Sequence, residues 1–364
     1  MKYYYVFILT AVITSYAAEF QSSAYLSFRA AEEQTWLAHI QNAEMVTNDT
    51  TIDVRFYHLN IDVAVHKKYI RGDVLIRFDA NVQNLNAIKL DLNRAFQIDS
   101  LTGNISSYTF KDDVLAVTLD DSYQKGEAVS LRVYYHGEPP LINDLKGLRY
   151  EVHGQNEPVI ANLSTPYLAH YWWPCKDGPG DKADSVYIDV TIPDTTIRDI
   201  PLSAVSNGRL QRVTRVNNKR TFFWRERYPV VPYYINVAIS NYTPFQQWSR
   251  GERKGTPIDY NVFSESRSTT MTTFQDFPDV FNFFSSLFGP YPFKNEKYAM
   301  CELGYYGGIE KQTNTIMGGL NEDWFGVAVH ELAHMWFADM ITCKTWNHGW
   351  LNEGFATYAE ALWV

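Results

Sequence analysis

Cysteine is scarce. Three in 364 residues, Cys175, Cys301 and Cys343, are too few and too widely spaced for a disulfide framework. One bridge among them stays open, and their spacing selects none. Positive charge is also short: 32 lysines and arginines stand against 41 aspartates and glutamates, a net charge of −9 that argues against general nucleic-acid binding. Beyond the N-terminus no stretch approaches ~18 uninterrupted apolar residues, so no transmembrane span is expected in the mature chain, which should be soluble. No internal repeat or low-complexity run stands out. With 46% hydrophobic and 20% charged residues, the composition excludes a mainly disordered, collagen-like or coiled-coil protein.

What is present is a long, aromatic-rich globular chain. Its length suggests two domains, since single cores stop growing beyond ~250–300 residues. Aromatics make up 15% of the chain, which suits strands and aromatic-lined grooves. Met1-Lys2, the apolar run Tyr3–Thr14 and the small residues of Ser15-Tyr16-Ala17 have the layout of a secretory signal. Residues 1–17 are therefore expected to be cleaved, giving a secreted protein, extracellular or periplasmic. An uncleaved N-terminal anchor is the alternative. Residues 18–44 form a lead-in segment.

From about Thr51 to Thr243 the apolar period is mostly two. Val54, Phe56 and His58 alternate against Tyr57, Leu59, Ile61, Val63 and Val65, and short apolar runs recur at Val74–Phe78, Val114–Leu119, Val129–Tyr135, Val186–Ile192 and Thr221–Trp224. Turn signals separate them: Arg71-Gly72-Asp73, Gly137-Glu138-Pro139-Pro140, Ser206-Asn207-Gly208 and Asn217-Asn218. An all-β domain over 45–245 is expected. After Phe245 the spacing turns helical. Thr273–Phe288 reads as a helix stopped by Gly289-Pro290, Asp323 as the cap of a second running to about Asp339, and Asn352–Val364 as the start of a third. The chain stops inside that third helix without a termination signal, so the second domain, 246–364, reads as truncated.

The strongest chemical signal is Val329-His330-Glu331-Leu332-Ala333-His334. Histidines at i and i+4 lie on one helix face, where both imidazoles reach a single metal at ~2.0–2.1 Å. Glu331, beside the first histidine, is placed to face the attacking water as general base. A catalytic zinc needs a third protein ligand, and Glu353 follows His334 after 18 intervening residues, in Asn352-Glu353-Gly354. Pairing of the two helices would bring its carboxylate to the histidines. Glu360, two turns further along α-helical spacing, is placed to accept a hydrogen bond from a ligand imidazole; a solvated surface carboxylate is the alternative. One Zn²⁺ per chain is the cofactor this set implies.

These residues resemble the M1 zinc aminopeptidases, a branch of the gluzincins. The likeness extends to Phe288-Gly289-Pro290-Tyr291-Pro292-Phe293, to Gly307-Gly308-Ile309-Glu310-Lys311, and to Trp173-Pro174-Cys175-Lys176-Asp177 followed by Asp181-Lys182-Ala183. It covers roughly residues 45–364. It implies an α+β multidomain protein, with a saddle-like N-terminal all-β domain followed by the start of a thermolysin-like α/β catalytic domain. The implied substrates are peptides with a free N-terminus, whose ammonium Glu310 would hold while Gly307 and Gly308 let the main chain approach. Lys311 and Ile309 stand where the family usually has asparagine or histidine and methionine, and Thr165 where it often has Glu or Gln. The family's oxyanion-stabilising tyrosine is expected beyond Val364. Two other readings remain: a non-catalytic peptide-binding relative, and a relative that opens epoxides.

Weaker signals complete the picture. Tyr305-Tyr306 and Trp172-Trp173 suit either a side-chain pocket or the core. The single histidines 39, 58, 66, 136, 153, 170 and 348 read as structural or surface residues, and Cys301 and Cys343 as surplus to a His₂Glu metal set. Sequons at Asn48, Asn104, Asn162 and Asn241 are assigned no role, and nothing selects an oligomeric state.

Overall fold

The computed structural model describes residues 46–140, 147–249, 255–304 and 307–363. Residues 1–44, expected as a signal and a lead-in, and Tyr305-Tyr306 lie outside the described residues. The described residues fall into two compact units, one within Gln41–Tyr242 and the other within Thr243–Val364. No helix among them is long and apolar enough to cross a membrane.

Alternation builds the first unit. Its largest sheet has seven strands in the order Arg209–Val216, Lys219–Glu226, Ser185–Pro193, Ile52–Ala64, Tyr69–Ala80, Ala128–Gly137 and Phe96–Gly103. Every neighbour pair is antiparallel except Ile52–Ala64 with Ser185–Pro193. One face turns Leu59, Ile61, Val63, Ile70, Val74, Leu131 and Val133 into the core, each with 0–1% exposure. Sheets of four, three and two strands complete the unit. Trp172 and Trp173 are fully buried, and Tyr57 meets the Trp173 ring edge-on at 4.8 Å, so this pair belongs to the core and not to a pocket. All three cysteines are free and buried. Asn162 and Asn241 are buried too, and the Asn162 amide is spent on Ile235 O and Val237 N.

Two sequence expectations fail here for local reasons. The pairing of Ile52–Ala64 with Tyr69–Ala80 slips between Val54 and Phe56. This bulge at Arg55 puts Val54 on the buried face with Tyr57, not on the outer face with Phe56 and His58. Arg71-Gly72-Asp73 is not a turn; it lies inside a strand, and the reversal occurs over residues 65–68. Gly72 is needed because a Cβ there would sit 2.5 Å from the Asn60 carbonyl on the next strand. Asn207-Gly208 and Asn217-Asn218 do reverse the chain, whereas Gly137 ends a strand and 138–140 run on without a turn to the edge of the described residues. Asn217 and Asn218 take φ of 51° and 57°, the two-residue left-handed loop that matches hairpin twist.

The second unit centres on a five-stranded mixed sheet, ordered Phe245–Trp248, Pro257–Asn261, Tyr298–Glu302, Thr315–Met317 and Gly308–Ile309. Among the described residues four α-helices accompany it: α1 Arg267–Thr273, α2 Phe277–Phe288, α3 Phe325–Ala333 and α4 Trp350–Trp363. The helix expected over Thr273–Phe288 begins later, at Phe277, and a separate short helix ends at Thr273. Phe277, Val280, Phe281 and Phe284 of α2 are buried, and Phe277 packs on Tyr298 of the sheet. Asn321, not Asp323, makes the cap ahead of α3: its side chain accepts from the Asp323 N–H and opens a short 3₁₀ turn, Glu322–Trp324. Past Ala333 the chain leaves regular α-geometry in a wider π-type turn, Met335–Met340.

Gly208 supplies a sharp test of this fold. It holds φ of +71°, and a Cβ would lie 2.0 Å from the Arg225 carbonyl. Gly208→Ala should cost about 2–3 kcal/mol through left-handed strain and main-chain overlap. Thermal unfolding should then begin about 4–10 °C lower. An unchanged midpoint would show that this turn is not built as described.

Candidate active site

Helix α3 brings His330 and Glu331 to its last turn, and His334 follows at its C-cap with helical φ and ψ of −59° and −22°. The three side chains are buried to 1% exposure or less. One helical turn apart, the two imidazoles face each other, with ring centroids 4.5 Å apart and Nε2 atoms 2.8 Å apart. Glu353 arrives from the first turn of α4, its Oε2 lying 3.2 Å from His330 Nε2 and 3.4 Å from His334 Nε2. The pairing is antiparallel in sense, because His330 also reaches Glu360 further along α4.

Both helix ends suit the charges they carry. The C-terminal end of α3 favours cationic character on its histidines, and the N-terminal end of α4 favours the Glu353 carboxylate. Burial alone would push Glu353 up, but His334 and His330 facing it hold the carboxyl well below its ordinary value. Burial likewise works against charge on His334, yet Glu353, with Glu310 and Glu331 beyond it, holds the imidazole well above its usual range. The cluster therefore attracts positive charge into its centre.

The ring nitrogens away from that centre are already engaged. His330 Nδ1–H donates to the Glu360 carboxylate, which burial pushes well above the ordinary range. His334 Nδ1–H donates to the Phe337 carbonyl at 3.2 Å, an interaction made possible by the wide turn after Ala333. With both Nδ1 atoms committed, each ring turns its Nε2 toward the shared centre. The three donor atoms lie within 4.8 Å of one another. A tetrahedral zinc with ~2.0–2.1 Å bonds has ligand-to-ligand edges of about 3.3 Å; the two Glu353 distances of 3.2 and 3.4 Å match it, and the imidazole pair at 2.8 Å needs to open by about 0.5 Å.

Two further carboxylates face this centre. Glu310 follows the edge strand Gly308–Ile309 and is 6% exposed. Burial raises its carboxyl, with Glu353 adding to the effect and His334 and Lys311 opposing it. Glu331 packs against the main chain of Gly308, where a Cβ would come within 2.3 Å of Glu331 Oε1. The Gly307 carbonyl accepts the Gly318 N–H at 2.6 Å and so takes part in the protein's own hydrogen bonding. Lys311 is fully buried beside Glu310.

Some contributors were not readable from the sequence. Phe337 acts through a main-chain carbonyl, which no residue pattern announces. Cys343 accepts from Asn352 Nδ2 at 3.9 Å and so steadies the start of α4, while Cys301 donates to Asn314 Oδ1. Burial pushes both thiols up to about 12, so neither competes as a thiolate ligand. His348 lies on the surface. Elsewhere His58, His136 and His170 pair with Asp189, Asp99 and Asp177.

Comparison with known proteins bears on these residues directly. A family model described as the peptidase M1 N-terminal domain matches residues 53–234, and one described as the peptidase family M1 domain matches 310–364. Glutamyl aminopeptidase of Rattus norvegicus is 29% identical over 232 residues, covering 59% of this chain and 23% of that relative. Leukotriene A-4 hydrolase of Xenopus laevis is 23% identical over 262 residues, covering 70% of this chain and 41% of that relative. The chain thus spans only a minor part of the curated relatives it matches. Among solved structures, an M1 zinc metallopeptidase from Deinococcus radiodurans superimposes with a TM-score of 0.75 at 26% identity, over 86% of this chain and 71% of that one. A mutant of the Deinococcus radiodurans M1 zinc metallopeptidase, bound to a Tyr-Ser-Ala substrate, gives 0.74 and 27%.

The geometry generates a metal-binding test. Zinc added to metal-free protein should saturate near one equivalent and release protons, because neutral imidazoles and a carboxylate must replace the protonated cluster. Calorimetry in buffers of different ionisation enthalpy measures that release. Saturation with no proton displaced would contradict the charge arrangement described.

Proposed function

This chain belongs to the M1 peptidase family, and from that premise we propose that it carries the zinc centre of an aminopeptidase removing N-terminal residues from peptides. The observation that supports this most is the convergence of His330, His334 and Glu353 beside the buried Glu331 carboxylate. In this reading His330, His334 and Glu353 hold one zinc ion per chain. Glu360 fixes the His330 tautomer through Nδ1. Bound zinc supplies Lewis-acid polarisation of the scissile carbonyl and acidifies the attacking water toward a pKa of ~7.

The protein's own groups do the rest. Glu331, held against Gly308, takes the proton of the attacking water and delivers it to the leaving amine. Glu310 holds the substrate α-ammonium by charge-assisted hydrogen bonding, which limits attack to the first peptide bond. Gly307 and Gly308 keep side chains out of the way of the substrate main chain. Residues 45–245 serve as the β domain and 246–364 as the catalytic part. Residues 1–17 act as a secretory signal, which places the site outside the cytoplasm.

Two variants test the assignment in the native protein. Glu331→Gln leaves the ligand set intact, so zinc content should stay near one equivalent while turnover of an amino-acid amide falls ~10²–10⁴-fold. A parental rate would remove Glu331 as the base. Glu310→Gln should raise KM for substrates with a free α-amine about 10–100-fold, the worth of a charge-assisted hydrogen bond. Amide hydrolysis untouched by a chelator would remove the zinc-dependent mechanism, and zinc-loaded protein that binds peptides without cleaving them would leave the non-catalytic reading in its place.

A further inference from the structure

Between strands Glu157–Asn162 and Ser185–Pro193 the chain contains only a three-residue 3₁₀ turn, Ala169–Tyr171, and two isolated bridge residues. Yet residues 163–179 are buried throughout. Irregular main chain in an interior must find partners for every N–H and C=O, which is why such segments usually stay on the surface. Here many of the partners are side chains and isolated main-chain groups. Cys175 exchanges hydrogen bonds with the main chain of Asp91 at 2.8 and 3.0 Å, and Asn93 N–H donates to His170 O. Lys176 N–H donates to the Tyr57 hydroxyl, and the Tyr135 hydroxyl donates to Trp172 O.

Two carboxylates complete the fastening. Asp177 Oδ2 accepts from both the main-chain N–H of His170 at 3.1 Å and its Nδ1 at 2.8 Å. Asp91 Oδ2 accepts the Asp177 N–H at 3.1 Å, and Oδ1 accepts the Thr47 N–H at 2.8 Å. All three residues have 0% exposure. His170 Nε2 and Asp177 Oδ1 are buried without a hydrogen-bond partner among the described residues. The flanking cations are committed elsewhere, Lys176 to Asp181 at 2.7 Å and Arg94 to Asp113 at 3.0 Å. Tyr57 and Cys175 face the same interior as neutral groups, since burial pushes the hydroxyl and the thiol well above their ordinary values.

We propose that Asp91, Asp177 and His170 form a proton-operated lock on segment 163–179. With Asp91 protonated and His170 an imidazolium, the trio is electrically balanced. Each proton lost leaves one more uncompensated negative charge in a dry interior, and the segment loosens.

Both titrating groups push the same way. Burial, with Asp177 adding to it, raises the Asp91 carboxyl to about 6. Burial by itself lowers His170, but the hydrogen bond to Asp177 and the negative charges of Asp177, Asp91 and Asp113 hold it above its usual value. A raised pKa in the fold contributes stability that is complete below the unfolded value and lost as pH rises through the folded one. Asp91 therefore releases its share between about pH 4 and 6, and His170 its share above pH 6.5.

Amide hydrogen exchange of the whole chain at pH 5, 6, 7 and 8, corrected for intrinsic rates, reads this directly. From pH 5 to pH 8 the Asp91 step alone should lower protection over 163–179 about tenfold, the part above pH 5 of a limit of about 100-fold set by a rise from about 4 to about 6, and the His170 step should add to it. Strands Tyr69–Ala80 and Ala128–Gly137 should keep their protection. Asp91→Asn, which cannot ionise, should flatten the lower part of the profile. Should that variant fail to fold, His170→Gln removes the cation and should leave the segment loose already at pH 5. Constant protection across pH, an equal fall in the strands, or a wild-type profile in Asp91→Asn would each overturn the proposal.

Discussion

Glu353 keeps its charge inside the protein because two imidazoles face it at 3.2 and 3.4 Å. That compensation is what the second unit is arranged around. Four carboxyl side chains, from Glu310, Glu331, Glu353 and Glu360, come together with two histidines. A set so rich in negative charge is stable in an interior only with a cation or protons at its centre. The helix ends add to the same effect, with α3 closing on its histidines and α4 opening on its glutamate. Even the break in helical geometry after Ala333 serves it, since it offers the Phe337 carbonyl to His334 and turns the ring toward the centre.

Segment 163–179 of the β unit meets the same constraint with a different solution. No ladder satisfies this segment throughout, so Asp91, Asp177, Tyr57 and Tyr135 act as donors and acceptors in place of a neighbouring strand. Polar side chains used this way are costly to bury and expensive to lose. They also make the conformation specific, because an apolar substitute would leave main-chain groups without partners.

Most of the architecture was legible as period and punctuation. Residues alternating two by two became strands of the seven-stranded sheet, and Asn217-Asn218 and Asn207-Gly208 became turns because few residues accept positive φ. Where the reading failed, the cause lay on a neighbouring strand or turn. Gly72 looks like a turn glycine, yet it is required by the carbonyl of Asn60 across the sheet. The bulge at Arg55 is a property of two strands pairing, and no alternation in one of them announces it. The helix expected from Thr273 starts only at Phe277, because Phe274 fits the apolar period from outside the helix and period alone does not register where hydrogen bonding begins.

At the candidate site the division follows distance along the chain. Two histidines four residues apart meet on any helix, so the sequence by itself marks His330 and His334, with Glu331 between them, as one unit. The spacing to Glu353 and Glu360 indicated which carboxylates to consider, and family resemblance pointed to Glu310. Only the tertiary structure decided that His330 Nδ1 meets Glu360, that Phe337 supplies a main-chain acceptor, and that Glu331 rests on Gly308. Local spacing is encoded by helix geometry residue by residue. Orientation, tautomer and charge balance depend on which distant groups packing brings within about 3 Å, and those distances exist only in the folded chain.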